Sequence, residues 1–410
     1  MSQSAPFRPQ HPEALSDQNT LQFTVQVLTQ HFDLEAHGYC CQTPDLWRVL
    51  VAAAARGSTI EATCNDLEEA PDSNTVRGYL IAQLTPEQVR PLETDFNRAV
   101  ASQLPHWFRR HQRHKDLELA IDLHDVPYYG KADPDQADQP DHWVCRGEAQ
   151  AGTTRFSRCA TAYVMQRDVR WTLAVTFVHP CDSRLAIVQR LLEQVRRLGV
   201  RRGCLYLDKA FCTVAVLRYL QAQTNFAAII AAPLRGKAGS GRGTRALCQG
   251  RASYLTHHTF VSPEHGALRV PVAVIRTLLQ RTDGRRHTQW LVYVLVRLKL
   301  RAHQVRQVRE RYRARFGIES SYRLLEQVRL RTTSPNVSLR FFCIGLALLL
   351  GSVWIALHWR YLQRRGSGPR RVAREHLPLE RMANFLRRAV EAIYGAVSLI
   401  RPPNVKPVIY

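Results

Sequence analysis

YRARFGIESSYRLLEQVRLR, from Tyr312 to Arg331, is the stretch whose reading decides the fold. It reads as one helix dense in arginine, with Glu319 near its middle. Residues three and four apart share a helix face, so Tyr312, Arg315 and Glu319 line one stripe that Arg323 continues. A carboxylate with guanidiniums above and below it suits a site that holds a metal ion beside a phosphate. The carboxylate takes the metal, and the arginines take phosphate oxygens in bidentate fashion. A solvated helix with i,i+4 ion pairs explains any single Arg–Glu pair equally well. It explains less well the aromatic Tyr312 on the same stripe and the basic excess of the whole chain.

That excess is large. The chain has 410 residues, room for two or three domains, and a formal net charge of +23. The pI is near 10.2. Hydrophobic content of 45% and charged content of 22% are ordinary for a globular protein, so the charge balance is the informative number. It points to a polyanion, either nucleic acid or an anionic membrane surface. None of the ten cysteines forms a C-x-x-C pair, which argues against a zinc ribbon. The opening residues, MSQSAPFRPQHPEAL, contain no apolar signal region. Both features set the expectation of a reducing, cytoplasmic setting. One stretch, Phe341 to His358, is long and apolar enough for a membrane span. Arginines flank both its ends without positive-inside asymmetry, so a buried core helix and no membrane partner are expected.

Along the chain, residues 1–18 are polar and expected to be disordered. Residues 19–115 read as a helical DNA-binding domain. Within it, IEATCNDLEE and TVRGYLIAQL flank the turn APDSN, with Asp72, Ser73 or Asn74 as N-cap. A helix-turn-helix would present Thr75 and Arg77 to a DNA groove; an ordinary helical hairpin fits the same residues. LPHWFRRHQRHK, ending at Lys115, mixes aromatic and basic residues and is expected to touch DNA backbone.

From Asp116 the period changes. Leu117, Leu119, Ile121 and Leu123 alternate with Glu118, Ala120, Asp122 and His124, a strand pattern. A polar loop is expected over 131–153, then strands from Arg155 to Met165 and from Trp171 to Val178. A helix follows, capped by Asp182 or Ser183 and stopped by Gly199. Cys204 to Leu207 is a short strand ending in Asp208; a helix and the strand Phe226 to Ala231 come next. Three strands, helix, strand, helix, strand is the order of an RNase H-like α/β fold, here over 116–232. Residues 233–300 are expected to form a β-rich insertion. It opens with the basic loop LRGKAGSGRGTR and carries a hairpin signal at Thr282-Asp283-Gly284. Residues 301–363 would complete the core, and 364–410 form a basic linker and a last amphipathic helix.

Three acids then stand out. Asp122 lies on the opening strand, Asp208 ends the fourth, and Glu319 lies on the arginine-rich helix. In an RNase H-like sheet the first and fourth strands are neighbours and the last helix packs across them. The three carboxylates would therefore meet. Hard oxygen donors suit Mg²⁺ or Mn²⁺, and without a cation they would repel one another. Two ions about 3.5–4 Å apart would suit an in-line phosphoryl displacement. Asp125 is a rival to Asp122, and Asp208 is equally placed to cap the helix after it.

Tyr312-x2-Arg315-x3-Glu319 resembles the tyrosine–arginine–glutamate part of the YREK signature. That signature belongs to DDE transposases of insertion-sequence family four and its halophile-type relatives. The DKAF context of Asp208 resembles the second-Asp motif of the same family. Where the family has a lysine, this chain has Glu326, with Arg323 and Arg329 as the nearest basic residues. The resemblance covers roughly residues 115–360. It implies an RNase H-like catalytic domain with a β-rich insertion, and metal-dependent cleavage and strand transfer at transposon ends. Asp122, Asp208 and Glu319 would be the catalytic metal ligands. Tyr312, Arg315, Arg323 and Arg329, with Thr75 and Arg77, would bind DNA. Implied partners are double-stranded DNA of the terminal inverted repeats and of the target, and a second copy of the chain in a dimeric synaptic complex. The place of action would be the nucleoid. Two other classes stay open: a domesticated or inactive sequence-specific DNA-binding protein, and an RNase H-fold nuclease without strand transfer.

Overall fold

The structure, a computed structural model, describes residues 14–105, 108, 117–130, 142–165, 171–237, 243–280, 286–364 and 371–400. Most of residues 1–18, expected to be disordered, most of LPHWFRRHQRHK and the expected hairpin turn Thr282-Asp283-Gly284 lie outside the described residues. The chain divides into two compact units, Met1–Gln88 with Leu325–Tyr410, and Val89–Leu324. The expected helical domain of 19–115 is thus divided after Gln88, and the expected segment 301–363 after Leu324.

The first unit begins with α1 (Asp17–His31), capped by Ser16. Two-residue strands β1 (His37–Gly38) and β2 (Cys41–Gln42) precede α2 (Thr43–Ala55), which buries Leu46, Trp47, Val49 and Leu50. Next come α3 (Ile60–Asn65) and α4 (Ser73–Gln83). Of the three possible caps for α4, Asp72 does the work, accepting from the Asn74 and Thr75 amides. The tight turn expected between these helices is replaced by a longer, anchored connection. Leu67 bridges Ala396, and the Glu69 amide donates to the Tyr394 carbonyl, so the link is held from outside. A helix-turn-helix uses a turn of three or four residues, which this is not.

The second unit runs α5 (Val89–Ser102), β3 (Leu117–Pro127), β4 (Val144–Gln150), β5 (Thr153–Val164), β6 (Thr172–Phe177), α6 (Arg184–Arg197), β7 (Gly203–Leu207), α7 (Val214–Gln223) and β8 (Phe226–Ala232). Then follow β9 (Tyr254–Ser262), β10 (Gly266–Gln280), β11 (Arg286–Val296), α8 (Val305–Arg313) and α9 (Phe316–Leu325). One sheet of nine strands takes the order β4-β5-β3-β7-β8-β11-β10-β9, with β6 also on β5. The strand bearing Asp122 is therefore the neighbour of the strand that ends at Asp208. They run parallel, Ile121 opposite Leu207. Gly203 permits their close start, since a Cβ there would lie 2.2 Å from the Leu117 carbonyl oxygen.

Two departures from the sequence reading matter. The loop expected over 131–153 contains β4, joined to β5 through Ala151 and Gly152 at φ 47° and 77°. Such left-handed pairs match the twist of a two-residue hairpin. The β-rich stretch 233–300 also joins the sheet: β11 pairs antiparallel with β8 and extends the central sheet. On one face, Cys204, Tyr206, Ile229, Ile275, Tyr293 and Leu295 pack against Val305, Val308 and Tyr312 of α8. The alternate residues Leu205, Leu207, Ile230, Val274 and Val294 are buried as well, so both faces of these strands are covered.

The chain re-enters the first unit with α10 (Val337–Tyr361), β12 (Gln363–Arg364), β13 (Arg371–Val372) and α11 (Leu379–Tyr394). By length and composition α10 could cross a membrane, yet 83% of its apolar window is buried inside the fold. Trp354 Nε1 and His358 Nε2 each lie 2.7 Å from the Leu377 carbonyl oxygen and tie α10 to the start of α11. The buried stripe of α11, with Met382, Leu386, Ala389 and Val390, packs on α1 and α2.

Candidate active site

The arginine-rich stretch is not one helix. It breaks at Ala314 and Arg315 between α8 and α9, and ends in a short 3₁₀ turn, Glu326–Val328. The break is itself a helical corner: the Arg315 amide donates to the Tyr312 carbonyl, and the Ile318 amide to that of Arg315. The side-chain neighbourhood expected of one continuous helix therefore survives. Arg315 stands over the Tyr312 ring at 5.6 Å, and its Nη2 lies 3.6 Å from Glu319 Oε1. Tyr312 donates its buried hydroxyl to the Leu207 carbonyl, one residue before Asp208.

Arg315 is the centre of the site. Its Nη1 bonds Asp122 Oδ2 at 2.8 Å, and its Nη2 lies 3.6 Å from Asp208 Oδ1 as well as from Glu319. Three acids from distant parts of the sequence thus meet on one guanidinium. The side chains grade outward, with Arg315 7% exposed, Asp122 13%, Asp208 32% and Glu319 42%, so the site opens on its Glu319 side.

The electrostatics favour positive charge. Burial pushes the Asp122 carboxyl up to about 6, and Asp208 adds to the shift, while Arg315 opposes it. The Arg315 guanidinium is held above its usual range: burial works against its charge, and Asp122, Tyr312 and Asp208 outweigh it. Among the described residues its buried Nε has no hydrogen-bond partner. Among the described residues no three acidic, histidine or cysteine side chains sit close enough to share one ion. The guanidinium stands between the three acids instead. Their donor set is all oxygen, the chemistry of Mg²⁺ and Mn²⁺ sites, and in that sense they fit such an ion.

The rivals separate cleanly. An odd spacing along a strand puts Asp122 and Asp125 on opposite faces. Asp125 is bound in bidentate fashion by Arg158, at 2.6 and 2.9 Å, away from Arg315. Asp208 makes no side-chain cap to the turn that follows it, and α7 is capped by Thr213. Of the other expected DNA contacts, Arg323 is exposed on α9, and Thr75 and Arg77 are exposed on α4 of the first unit. Arg329 is not free: Glu326 pairs with it at 2.8 Å.

Sequence reading missed the residues that hold α9 in place. Tyr322 shares a hydrogen bond with Thr161 on β5, lies 3.4 Å from the Asp122 carbonyl, and stacks on His124 at 4.5 Å. Ser321 bonds Tyr163 of the same strand. Arg311 donates to Tyr206 and Glu118, holding α8 to β7 and β3. Tyr322 follows Glu319 by three residues, so the helical period was the available signal.

No family model and no curated protein matches the chain. A solved structure does: the cryo-EM structure of a piggyBac transposase synaptic complex with hairpin DNA. It aligns with a TM-score of 0.52 at 10% identity, over 91% of this chain and 76% of that one. The fold is similar to that of a piggyBac transposase. At such identity the transposase-like fold lies in the path of the chain.

Proposed function

We propose that this chain is a DDE-type transposase that cuts and joins DNA at transposon ends. The observation that carries the reading is the meeting of Asp122, Asp208 and Glu319 on Arg315. Support comes from the strand order. Expected strands three, two, one, four and five correspond to β6, β5, β3, β7 and β8, side by side as in an RNase H-like sheet. The transposase-like fold and the net charge of +23 point the same way. The Tyr312-x2-Arg315-x3-Glu319 spacing favours the YREK type within that class.

Asp122, Asp208 and Glu319 would hold Mg²⁺ or Mn²⁺. When bound, such ions activate the attacking oxygen and offset charge on the phosphate. The chain's own residues do the rest. Tyr312 and Tyr322 fix α8 and α9 against β7 and β5, so Glu319 is presented next to the two aspartates. Arg315, buried among the three acids, neutralises part of their charge and holds them together. Arg323, exposed on α9, extends that positive charge. The substrate is double-stranded DNA, at the ends of the element and at its target, in the cytoplasm on the nucleoid.

The test uses a plasmid carrying the DNA that flanks the gene. Purified protein should nick and join it in Mg²⁺ or Mn²⁺ and not in EDTA. Asp122→Asn, Asp208→Asn and Glu319→Gln should each lose nearly all cleavage, and the losses should not add, because the three act as a unit. Asp125→Asn should stay active if folded. Cleavage without strand joining would reduce the reading to a nuclease. Full cleavage by Glu319→Gln would overturn it.

A further inference from the structure

The segment RRLGVRR, from Arg196 to Arg202, carries four arginines that the active site does not use. It joins α6 to β7. Gly199, at φ 85°, stops the helix in the left-handed conformation, and Val200 after it is fully buried. These two residues fix the turn. Arg196 before it and Arg201 after it line one cleft of about 570 Å³. Arg297 lines the same cleft, with Gln223, Thr224 and Asn225 at the end of α7. The cleft lies where β7 and β8 begin and β11 ends. Asp208 follows the other end of β7, five strand residues or roughly 17 Å away.

Arg297 is the odd residue of the group. Its φ of 53° is left-handed, a conformation that favours glycine and strains an arginine. Strain of this kind persists where the side chain is needed. Part of the need is local. Arg297 Nη1 donates to the Gln221 carbonyl at 3.2 Å, and Arg196 Nη2 to the Gln223 carbonyl at 3.1 Å, so both cap the C-terminal end of α7. Each bond uses one of the five N–H groups of a guanidinium. It also holds the two side chains in place, while Arg201, exposed, lines the same cleft. No acid lines the cleft, and Glu193 on α6 is taken by Arg197 at 3.4 Å. Three guanidiniums with no carboxylate among them suit an anion with several oxygens, and phosphate fits. No aromatic ring lines the cleft to stack a base, so a free nucleotide is poorly matched. A backbone phosphate offers all that the cleft can recognise, and exposed Arg197 and Arg202 continue the charge along the same segment. We propose that this cleft grips the phosphate backbone of duplex DNA, away from the bond being cut. The proposal rests on the transposase reading only for the choice of DNA as the polyanion.

Anisotropy with a labelled duplex of random sequence, in EDTA, tests the site without any cleavage. In the wild-type protein log affinity should fall linearly with log salt. Arg201→Gln and Arg297→Gly should each make that slope shallower by about 1, and the double variant by about 2. Folding is read separately. Arg201→Gln changes an exposed side chain, and Arg297→Gly trades the bond to Gln221 for a residue at ease at φ 53°, so both should keep the wild-type Tm. Arg146→Gln, the same change of charge at an exposed position on the edge strand β4, should leave the slope alone. An equal drop there would make the effect one of net charge and overturn the site. Wild-type slopes in both cleft variants would overturn it as well, and a lowered Tm with an unchanged slope would reduce the arginines to caps of α7. Inorganic tripolyphosphate is the second probe. If the cleft variants lose affinity for it and not for duplex, the site takes a free polyphosphate and the backbone assignment fails. A protein that binds duplex through these arginines and never nicks it keeps the site and loses the transposase reading; cleavage with wild-type slopes in the variants does the reverse.

Discussion

Arg315 is buried among three acids it only partly satisfies, which makes the site sensitive to single changes of charge. Folding raises the Asp122 carboxyl to about 6, above its ordinary 3.8, so the folded chain holds that proton more tightly than the unfolded one. The ionised form therefore opposes folding. The penalty is full above pH 6, shrinks as pH falls, and vanishes below about 4. In EDTA, Asp122→Asn should raise stability at pH 7.5 by on the order of 1–3 kcal/mol, with about half that gain at pH 5. Thermal unfolding at the two pH values checks this, and a lower Tm at both would contradict it. Arg315→Gln does the opposite. It strips the acids of their buried partner and should cost roughly 3–5 kcal/mol in EDTA. Added Mn²⁺ should restore part of the loss in the same melting experiment. The acids were legible because each one ends or interrupts a strongly patterned element. That Arg315 would turn inward was not legible, since a helical spacing shows which residues are neighbours and not which neighbour takes the hydrogen bond.

At the scale of elements, the site depends on how α8 and α9 are pinned. Tyr312→Phe keeps the ring against Tyr293 and removes the hydroxyl that bonds the Leu207 carbonyl. Tyr322→Phe keeps the stack on His124 and leaves Thr161 short of a partner. Each should cost about 1–2 kcal/mol in urea unfolding, with Tyr322→Phe the larger. Equal stability to wild type in both would remove these tyrosines from the account. The strands that were legible are those with a clean period of two, such as β3 and β7. β4 was not, because VCRGEAQ is a mostly polar edge strand with no apolar alternation to mark it. The join of β11 to β8 was not legible either. Its residues announce a buried strand, but sequence period says nothing about which strand lies beside it.

For the whole molecule, the charge of +23 sets the first expectation. If six or more phosphates are neutralised, DNA affinity should fall about a thousandfold or more between 50 and 200 mM salt. A titration by anisotropy measures the slope, and a flat response would remove the basic surface from the binding account. Cutting and joining two ends calls for two sites, so light scattering of protein with end DNA should report two chains. A monomer that still joins strands would contradict that. The division into units escaped the sequence because local period cannot show that residues 1–88 share a core with residues 325–410. That division has a consequence for the order of synthesis. The first helices leave the ribosome and must wait, on the order of tens of seconds, for the helices that complete their unit. Val89–Leu324, by contrast, is already whole when Leu324 emerges. A message broken after that codon would yield a chain with all three acids and no finished first unit.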